Sequence, residues 1–360
     1  MMGAVSSSRL DPVRLQPAFD LVARQVEAGL VPSAILAIAN GAGLVREEAF
    51  PGAGRATTDS IFQIASITKP VMAAAVMQLV ERGVLDLSAP LQRVIPAFVA
   101  PPSAPGLPGA EVVTAWHVLT HSSGVEDMDN DLLARERPDR ARLLEIVCRS
   151  PLRFVPGSRF DYNSLSFTLL GELIRQLDGR DYPEYLRARL FEPLGMRDTA
   201  FAPTDPARAA VSAFPGIPEA LQPFASAYFD SIQVPGGGLW GTAADLLAFG
   251  RAMLGGGRLD AVRVLGQPFV EQMTRDQTAG LQDLGPPPTA AHYGLGWGLP
   301  GLTGQTSASP RAFGHGGATG TRLLIDPDAD LVVVYLANRW GAGDEPSLAA
   351  VQAVYAAIDA

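Results

Sequence analysis

The chain has 360 residues, of which 47% are hydrophobic and 18% charged, and its formal net charge is −9. That much apolar surface excludes a disordered chain, and the length leaves room for a compact body with an insertion or second lobe. The acidic balance repels phosphate backbones and no arginine cluster forms a nucleic-acid patch, so nucleic acid is not expected as a partner.

Residues 1–16 lack the apolar core of a secretion signal, and no later run reaches the length of a membrane span. A cytoplasmic protein without membrane contact is therefore expected. The single cysteine, Cys148, has no internal disulfide partner, and its neighbours Ile146 and Val147 suggest a packed helix face.

In chain order, apolar residues recur at helical spacing from Pro12 to Gly29, with the glycine as a stop. Ser33 to Asn40 reads as a buried strand, and Gly41 to Gly43 turns into a return strand over Leu44 to Phe50. Helical patterns dominate the middle: Val71 to Arg82, Trp116 to Thr120, Arg140 to Cys148, Phe167 to Leu177 and Thr242 to Leu254. Pro101 to Pro108 and Pro286 to Pro288 read as loops. Near the end, Ala312 to Gly316, Thr321 to Ile325 and Leu331 to Ala337 read as strands joined by short turns, before a final helix over Leu348 to Ile358.

Short connections imply antiparallel pairing, and the N-terminal hairpin joins the same sheet if the chain ends meet. The expected fold is α+β, an α/β sandwich with an antiparallel sheet built from both chain ends and a large, mainly helical insertion. The expected domains are 1–60 with 290–360, and 61–289.

Ser66-Ile67-Thr68-Lys69 precedes a helix, which places a hydroxyl and an amine on one face of the first turn. A serine hydroxyl is inert at neutral pH unless a neighbour takes its proton, and a lysine can do so only when desolvated or held near positive potential. The same four residues also fit an ordinary helix start with a capping serine and a solvated lysine. Composition favours the first reading: Lys69 is the only lysine among 28 basic residues, and guanidinium cannot serve as a base. No serine lies in a G-x-S-x-G frame. His117 and His121 lack the glutamate of H-E-x-x-H and His292 stands alone, so structural roles and no metal are expected. Gly236, Gly238 and Gly241 follow a proline instead of a strand, and Thr242 with Asp245 reads as a capping box for the next helix.

Further segments follow in a telling order. They are Leu119-Thr120-His121-Ser122-Ser123-Gly124, Pro156-Gly157, Tyr162-Asn163-Ser164, Leu169-Leu170-Gly171 and Pro193-Leu194-Gly195-Met196. Gly237-Gly238-Leu239, Tyr293-Gly294-Leu295-Gly296-Trp297, Gly314-His315-Gly316-Gly317 and Leu336-Ala337-Asn338 complete the series. With Ile64 to Pro70, this series resembles the serine β-lactamase-like superfamily over roughly residues 18 to 358: class C β-lactamases, family VIII carboxylesterases and D-aminopeptidases.

The resemblance implies a serine hydrolase with Ser66 as nucleophile, Lys69 and Tyr162 as coupled acid/base partners, and the backbone N–H groups of Ser66 and Ala318 as oxyanion hole. It implies Ser164, His315, Gly316 and Gly317 as substrate-binding residues, a small ester, amide or lactam as substrate, and no cofactor. The second motif departs from the β-lactamase Tyr-x-Asn at Ser164, and the third replaces Lys-Thr-Gly with His315-Gly316-Gly317. A histidine there is largely neutral at pH 7, which weakens recognition of a lactam carboxylate. A carboxylesterase acting on small or short-chain acyl esters is the expectation. The alternatives are a D-amino-acid-specific peptidase or amidase, a weak β-lactamase, an acyltransferase, or a non-catalytic scaffold.

Overall fold

A computed structural model describes residues 10–127, 136–214, 217–219, 222–285, 288–304 and 306–358. Five strands make the central antiparallel sheet: β1 (Ala34–Asn40), β2 (Gly43–Phe50), β3 (Phe313–Gly317), β4 (Thr321–Asp326) and β5 (Leu331–Ala337). Their order is β3-β4-β5-β1-β2, so the N-terminal hairpin does pair with the C-terminal meander. Ala34 faces Ala337 and Ile38 faces Val333 across that seam.

Both faces of β1 and β5 are buried, which is why their sequences run apolar without alternation. One face packs Leu36, Ile38, Val333 and Tyr335 under α1 (Gln16–Glu27) and the final helix α5 (Glu345–Tyr355). The other directs Ile35, Ala37, Val332, Val334 and Leu336 into the main core. Residues on α2 (Thr68–Glu81), α3 (Phe167–Asp178) and α4 (Ala243–Leu254) share that core.

The structure agrees with the expected α+β fold and with most expected elements, the terminal residues shifting by a few positions. Cys148 is buried at the end of the helix Arg140–Arg149. The proposed division into 1–60 with 290–360 and 61–289 groups α4 with the insertion it follows in sequence, yet α4 lies against β1, β4 and β5. A small sheet missing from the sequence reading joins Ile61–Gln63 to Ala209–Ala210 and Trp240–Gly241. The turn after its first strand carries Ser66.

Thr242 caps α4 by accepting from the Asp245 N–H at 3.2 Å, as expected. Asp245 does not complete a reciprocal box. Its carboxylate instead accepts from the Asp198 N–H and the Thr199 hydroxyl, because that neighbouring turn offers two donors.

α4 approaches the sheet closely at Gly250, where a Cβ would stand 2.6 Å from Val332 Cγ1 and 3.2 Å from Leu323 Cδ1. Overpacking there outweighs the better helix propensity of any larger residue. Gly250→Leu is expected to destabilise the fold by about 1–3 kcal/mol, read as a lower thermal midpoint. An unchanged midpoint would mean that the helix rides farther from the sheet.

Candidate active site

The turn after Ile61–Gln63 is tight: Ala65 adopts a left-handed φ of +46°, and a short 3₁₀ turn over Ala65–Ile67 leads into α2. Four hydroxyl and backbone contacts fix it. The Thr68 hydroxyl donates to the Ala65 carbonyl at 2.6 Å and accepts from the Leu239 N–H at 3.0 Å. From the other side, Thr319 and Thr321 donate to the Gln63 and Ile64 carbonyls at 2.6 and 3.2 Å. Ser66 is the one residue from Ile61 to Leu79 that is not buried.

Lys69 follows one turn later and is 0% exposed. Its Nζ lies 3.1 Å from Ser66 Oγ and 3.0 Å from Ser164 Oγ, and donates to the Gly236 carbonyl at 2.7 Å. Burial favours the uncharged amine and brings its pKa down to about 7, against a partial upward pull from Asp127. Gly236 admits no side chain, since a Cβ would sit 2.2 Å from the Ser164 carbonyl oxygen. That close approach delivers the Gly236 carbonyl to the amine.

Tyr162 places its ring centroid 4.5 Å from Lys69 Nζ and shares hydrogen bonds with Ser66 and Ser164. The residue is 41% exposed, so it forms an open wall of the site. Protein around the phenol raises its pKa, while the bonds to Ser66 and Ser164 act to lower it; the net direction is upward. Asp127 steadies the same segment by accepting from the Ser164 and Leu165 N–H groups at 3.1 and 3.3 Å. Asn163 anchors it from below, donating to the Val125 carbonyl at 2.7 Å and accepting from the Ser166 N–H.

β3 borders the turn that carries Ser66. A Cβ at Gly317 would lie 2.5 Å from the Ile64 carbonyl oxygen and 3.3 Å from Ala65 Cβ. Ala318 is exposed in the following turn, its carbonyl accepting from the Gly341 N–H at 2.9 Å. His315 is buried, and burial together with the Lys69 charge lowers its pKa to about 3. The imidazole is neutral.

Ser66, Lys69, Tyr162 and Ser164 thus meet in one cluster, with β3 alongside. Sequence reasoning missed Gly236 and Asp127, which act through a backbone carbonyl and a loop carboxylate that no motif marks. His117 and His121 do not share a helix face. His117 belongs to the cap at Thr114, whereas His121 lies past the helix at φ +54° with its ring 4.4 Å from that of Tyr162. His292 pairs with Asp276 at 2.7 Å, and no group of metal-ligating side chains occurs among the described residues. Trp240 and Trp297 are packed in the interior. Of the expected loop Pro286 to Pro288, residues 286–287 lie outside the described residues.

Comparison with known proteins places these observations in a family. A family model described as Beta-lactamase matches residues 19–357. The chain is 27% identical over 316 residues to a putative D-alanyl-D-alanine carboxypeptidase of Salmonella paratyphi B, covering 79% of this chain and 71% of that protein. Among solved structures, a penicillin-binding protein homologue from Caulobacter crescentus superposes with a TM-score of 0.80 at 22% identity, covering 96% of this chain and 98% of the other. A family VIII carboxylesterase superposes with a TM-score of 0.78 at 20% identity and the same coverage. At such identities the two structures speak for the fold. With its model matching nearly end to end and its helices and antiparallel sheet superposing on these relatives, the chain belongs to the beta-lactamase family of serine hydrolases.

Proposed function

We propose that the protein is a carboxylesterase acting on small, uncharged acyl esters through an acyl-enzyme at Ser66. The observation that carries this reading is the surroundings of Lys69. A neutral amine has two N–H groups and one lone pair. The Gly236 carbonyl can only accept, so it takes one N–H; Ser164 Oγ takes the other, and the lone pair is left for the Ser66 proton.

Lys69 is then the general base. As Ser66 Oγ forms a bond to the ester carbonyl carbon, its proton passes to Lys69 Nζ, and the carbonyl π pair becomes the oxyanion. The backbone N–H groups of Ser66 and Ala318 are assigned to receive that oxyanion, each such donor lowering the barrier by about 3 kcal/mol. As the oxyanion collapses and the bond to the alkoxide breaks, Tyr162, held as a phenol by its raised pKa, gives its proton to the alkoxide, which leaves as an alcohol, and recovers one from the Lys69 ammonium through Ser164 Oγ, so that Lys69 is neutral again. A water molecule then repeats the sequence against the acyl-serine.

The preference for esters over lactams or D-peptides rests on charge. A substrate carboxylate beside β3 would meet the neutral imidazole of His315, and the nearby Arg322 is already engaged by Asp344. Ser164, Gly316 and Gly317 are assigned to substrate contact. A D-amino-acid-specific peptidase is the second reading, favoured by the 27% identity to the Salmonella carboxypeptidase relative.

Four outcomes test these assignments. In a panel of short-chain nitrophenyl esters, a chromogenic cephalosporin and D-aminoacyl anilides, ester cleavage should lead; faster anilide turnover would transfer the assignment to the peptidase reading. Ser66→Ala should lose at least about a thousandfold in kcat and all labelling by a fluorophosphonate. Undiminished labelling would remove Ser66 as nucleophile and reopen the scaffold reading. For pH, the ammonium cannot accept a proton, so kcat/KM should climb as pH rises through about 7 and level off above it. Lys69→Arg should fall by about 10²–10⁴-fold at every pH, because guanidinium stays protonated. A flat wild-type profile from pH 5 to 9 would count against Lys69 as base.

A further inference from the structure

Three buried polar residues beside this cluster have no part in the steps above as bond-making groups: His121 at 1%, Tyr293 at 6% and His315 at 9% exposure. They are joined end to end. The Asn163 backbone N–H lies 3.1 Å from His121 Nδ1, His121 Nε2 lies 3.3 Å from Tyr293 Oη, Tyr293 Oη lies 2.9 Å from His315 Nε2, and His315 Nδ1 lies 2.7 Å from the Gly316 carbonyl oxygen.

Chemistry fixes the direction of every link. A backbone N–H can only donate, so His121 Nδ1 accepts and the proton of that neutral ring sits on Nε2. Nε2–H donates to Tyr293 Oη, which leaves the single phenol proton for His315 Nε2. His315 must then carry its own proton on Nδ1, where the Gly316 carbonyl, able only to accept, receives it. The two imidazoles are therefore opposite tautomers. A second proton on His121 would set N–H against the Asn163 N–H.

The ends of this chain are what matter. Asn163 is the residue after Tyr162, and the His121 carbonyl also holds the Asp161 N–H at 2.8 Å, so one end grips the segment that carries Tyr162 on both sides. The other end is Gly316, the neighbour of the Gly317 that abuts the Ser66 turn. Tyr293 is tied to α2 as well: in the Tyr293 to Trp297 segment, the Gly296 N–H donates to the Leu119 carbonyl, and a Cβ at Gly296 would lie 2.5 Å from Ala73 Cβ. The titratable and charged groups facing the chain are Lys69 from α2, which when protonated opposes a proton on either imidazole, and Arg322 from β4, paired with Asp344, which opposes one on His315.

We propose that Tyr293 is a positioning residue: its hydroxyl joins His121 and His315 into a one-way hydrogen-bond chain that holds the Tyr162 segment and the end of β3 in register with Ser66. This rests on the reading of Ser66, Lys69 and Tyr162 as the reacting groups. Removing the hydroxyl leaves an imidazole N–H and an imidazole lone pair facing each other across a gap, and the two motifs lose their common reference. A displacement of about 1 Å in a reacting group can lower a rate about a hundredfold.

The tautomers can be read without any substrate. The chain has four histidines, so long-range ¹H–¹⁵N spectra of histidine-labelled protein are assignable with His117→Gln and His292→Gln. From pH 6 to 8, His121 should be the Nε2–H form and His315 the Nδ1–H form. The same tautomer in both rings, or an imidazolium in either, overturns the chain. Tyr293→Phe keeps the packing ring; it should lower both kcat on a nitrophenyl ester and the rate of fluorophosphonate labelling at Ser66 by about 10–100-fold, with KM within about threefold. In a folded Tyr293→Phe protein, kcat and labelling within twofold of wild type overturn the positioning role. An unlabelled wild-type Ser66 overturns the functional reading and the positioning role with it, while the tautomers still decide the chain. Should Tyr293→Phe not fold, Tyr293→Gln, which restores a donor and an acceptor, takes its place with the same two rates.

Discussion

The arrangement depends on keeping one primary amine out of water. Charged, the Lys69 ammonium would forgo hydration worth several kcal/mol in such a place; neutral, it needs only two acceptors and a donor, which Gly236, Ser164 and Ser66 supply. The helix that carries it is buried all round, every residue from Thr68 to Leu79, so the amine's Cα has no freedom to drift toward solvent. Close backbone approaches finish the enclosure. Gly236 against Ser164 and Gly296 against Ala73 are contacts that a single methyl group would prevent. The proposed role of Lys69 as base thus rests on its packing, and the packing comes from residues distributed from 66 to 296.

The same enclosure leaves the reacting region short of formal charge. His121 and His315 are held neutral, the former well below the ordinary imidazole range, and the phenols of Tyr162 and Tyr293 are shifted away from ionisation. Asp127 stands at the edge, fixing backbone N–H groups. In such surroundings negative charge develops only during reaction, where fixed dipoles stabilise it without reorganising. A neutral substrate enters without losing a salt bridge to water, whereas an anionic one would give up hydration with no cation of its own to gain. With a neutral imidazole at His315 where the resembled motif has a lysine, the proposed preference for uncharged substrates is separate from the proposed proton path through Lys69.

Much of this was legible in the sequence because strong local patterns agreed with tertiary demand. The strands Ala34–Asn40 and Leu331–Ala337 announce themselves as apolar runs with turn residues beside them, and a lone lysine in an arginine-rich chain stands out. The start of α2 was harder: Thr68, Lys69 and Pro70 look like a polar lead-in, yet they form its buried first turn. The small sheet at Ile61–Gln63 pairs with strands of two residues, too short for any periodicity to register. His117 and His121 stand four apart, a spacing that puts them on one face only if the helix continues; it ends at Leu119, and the left-handed φ at His121 turns the ring toward Tyr162 instead. Contacts made by carbonyl oxygens, such as that of Gly236, leave no side-chain trace to read.

Two non-glycine residues in left-handed conformations, Ala65 and His121, precede the segments that matter most, and their placement ties strain to precision. Each such residue costs about 1–3 kcal/mol and persists only where its surroundings over-determine it. At Ala65 they do: Thr68 holds its carbonyl, Thr319 and Thr321 hold the two before it, and Gly317 closes the far side. At His121 the ring and the carbonyl are both gripped by the Asp161–Asn163 segment. The two turns are therefore not independent. One holds Ser66, the other holds the residues that flank Tyr162, and β3 lies against the first while the Tyr293 hydroxyl bridges it to the second. A relaxed backbone at either point would let the serine and the tyrosine move separately. The strained turns cost stability, and in return the hydroxyl, amine and phenol share one rigid frame.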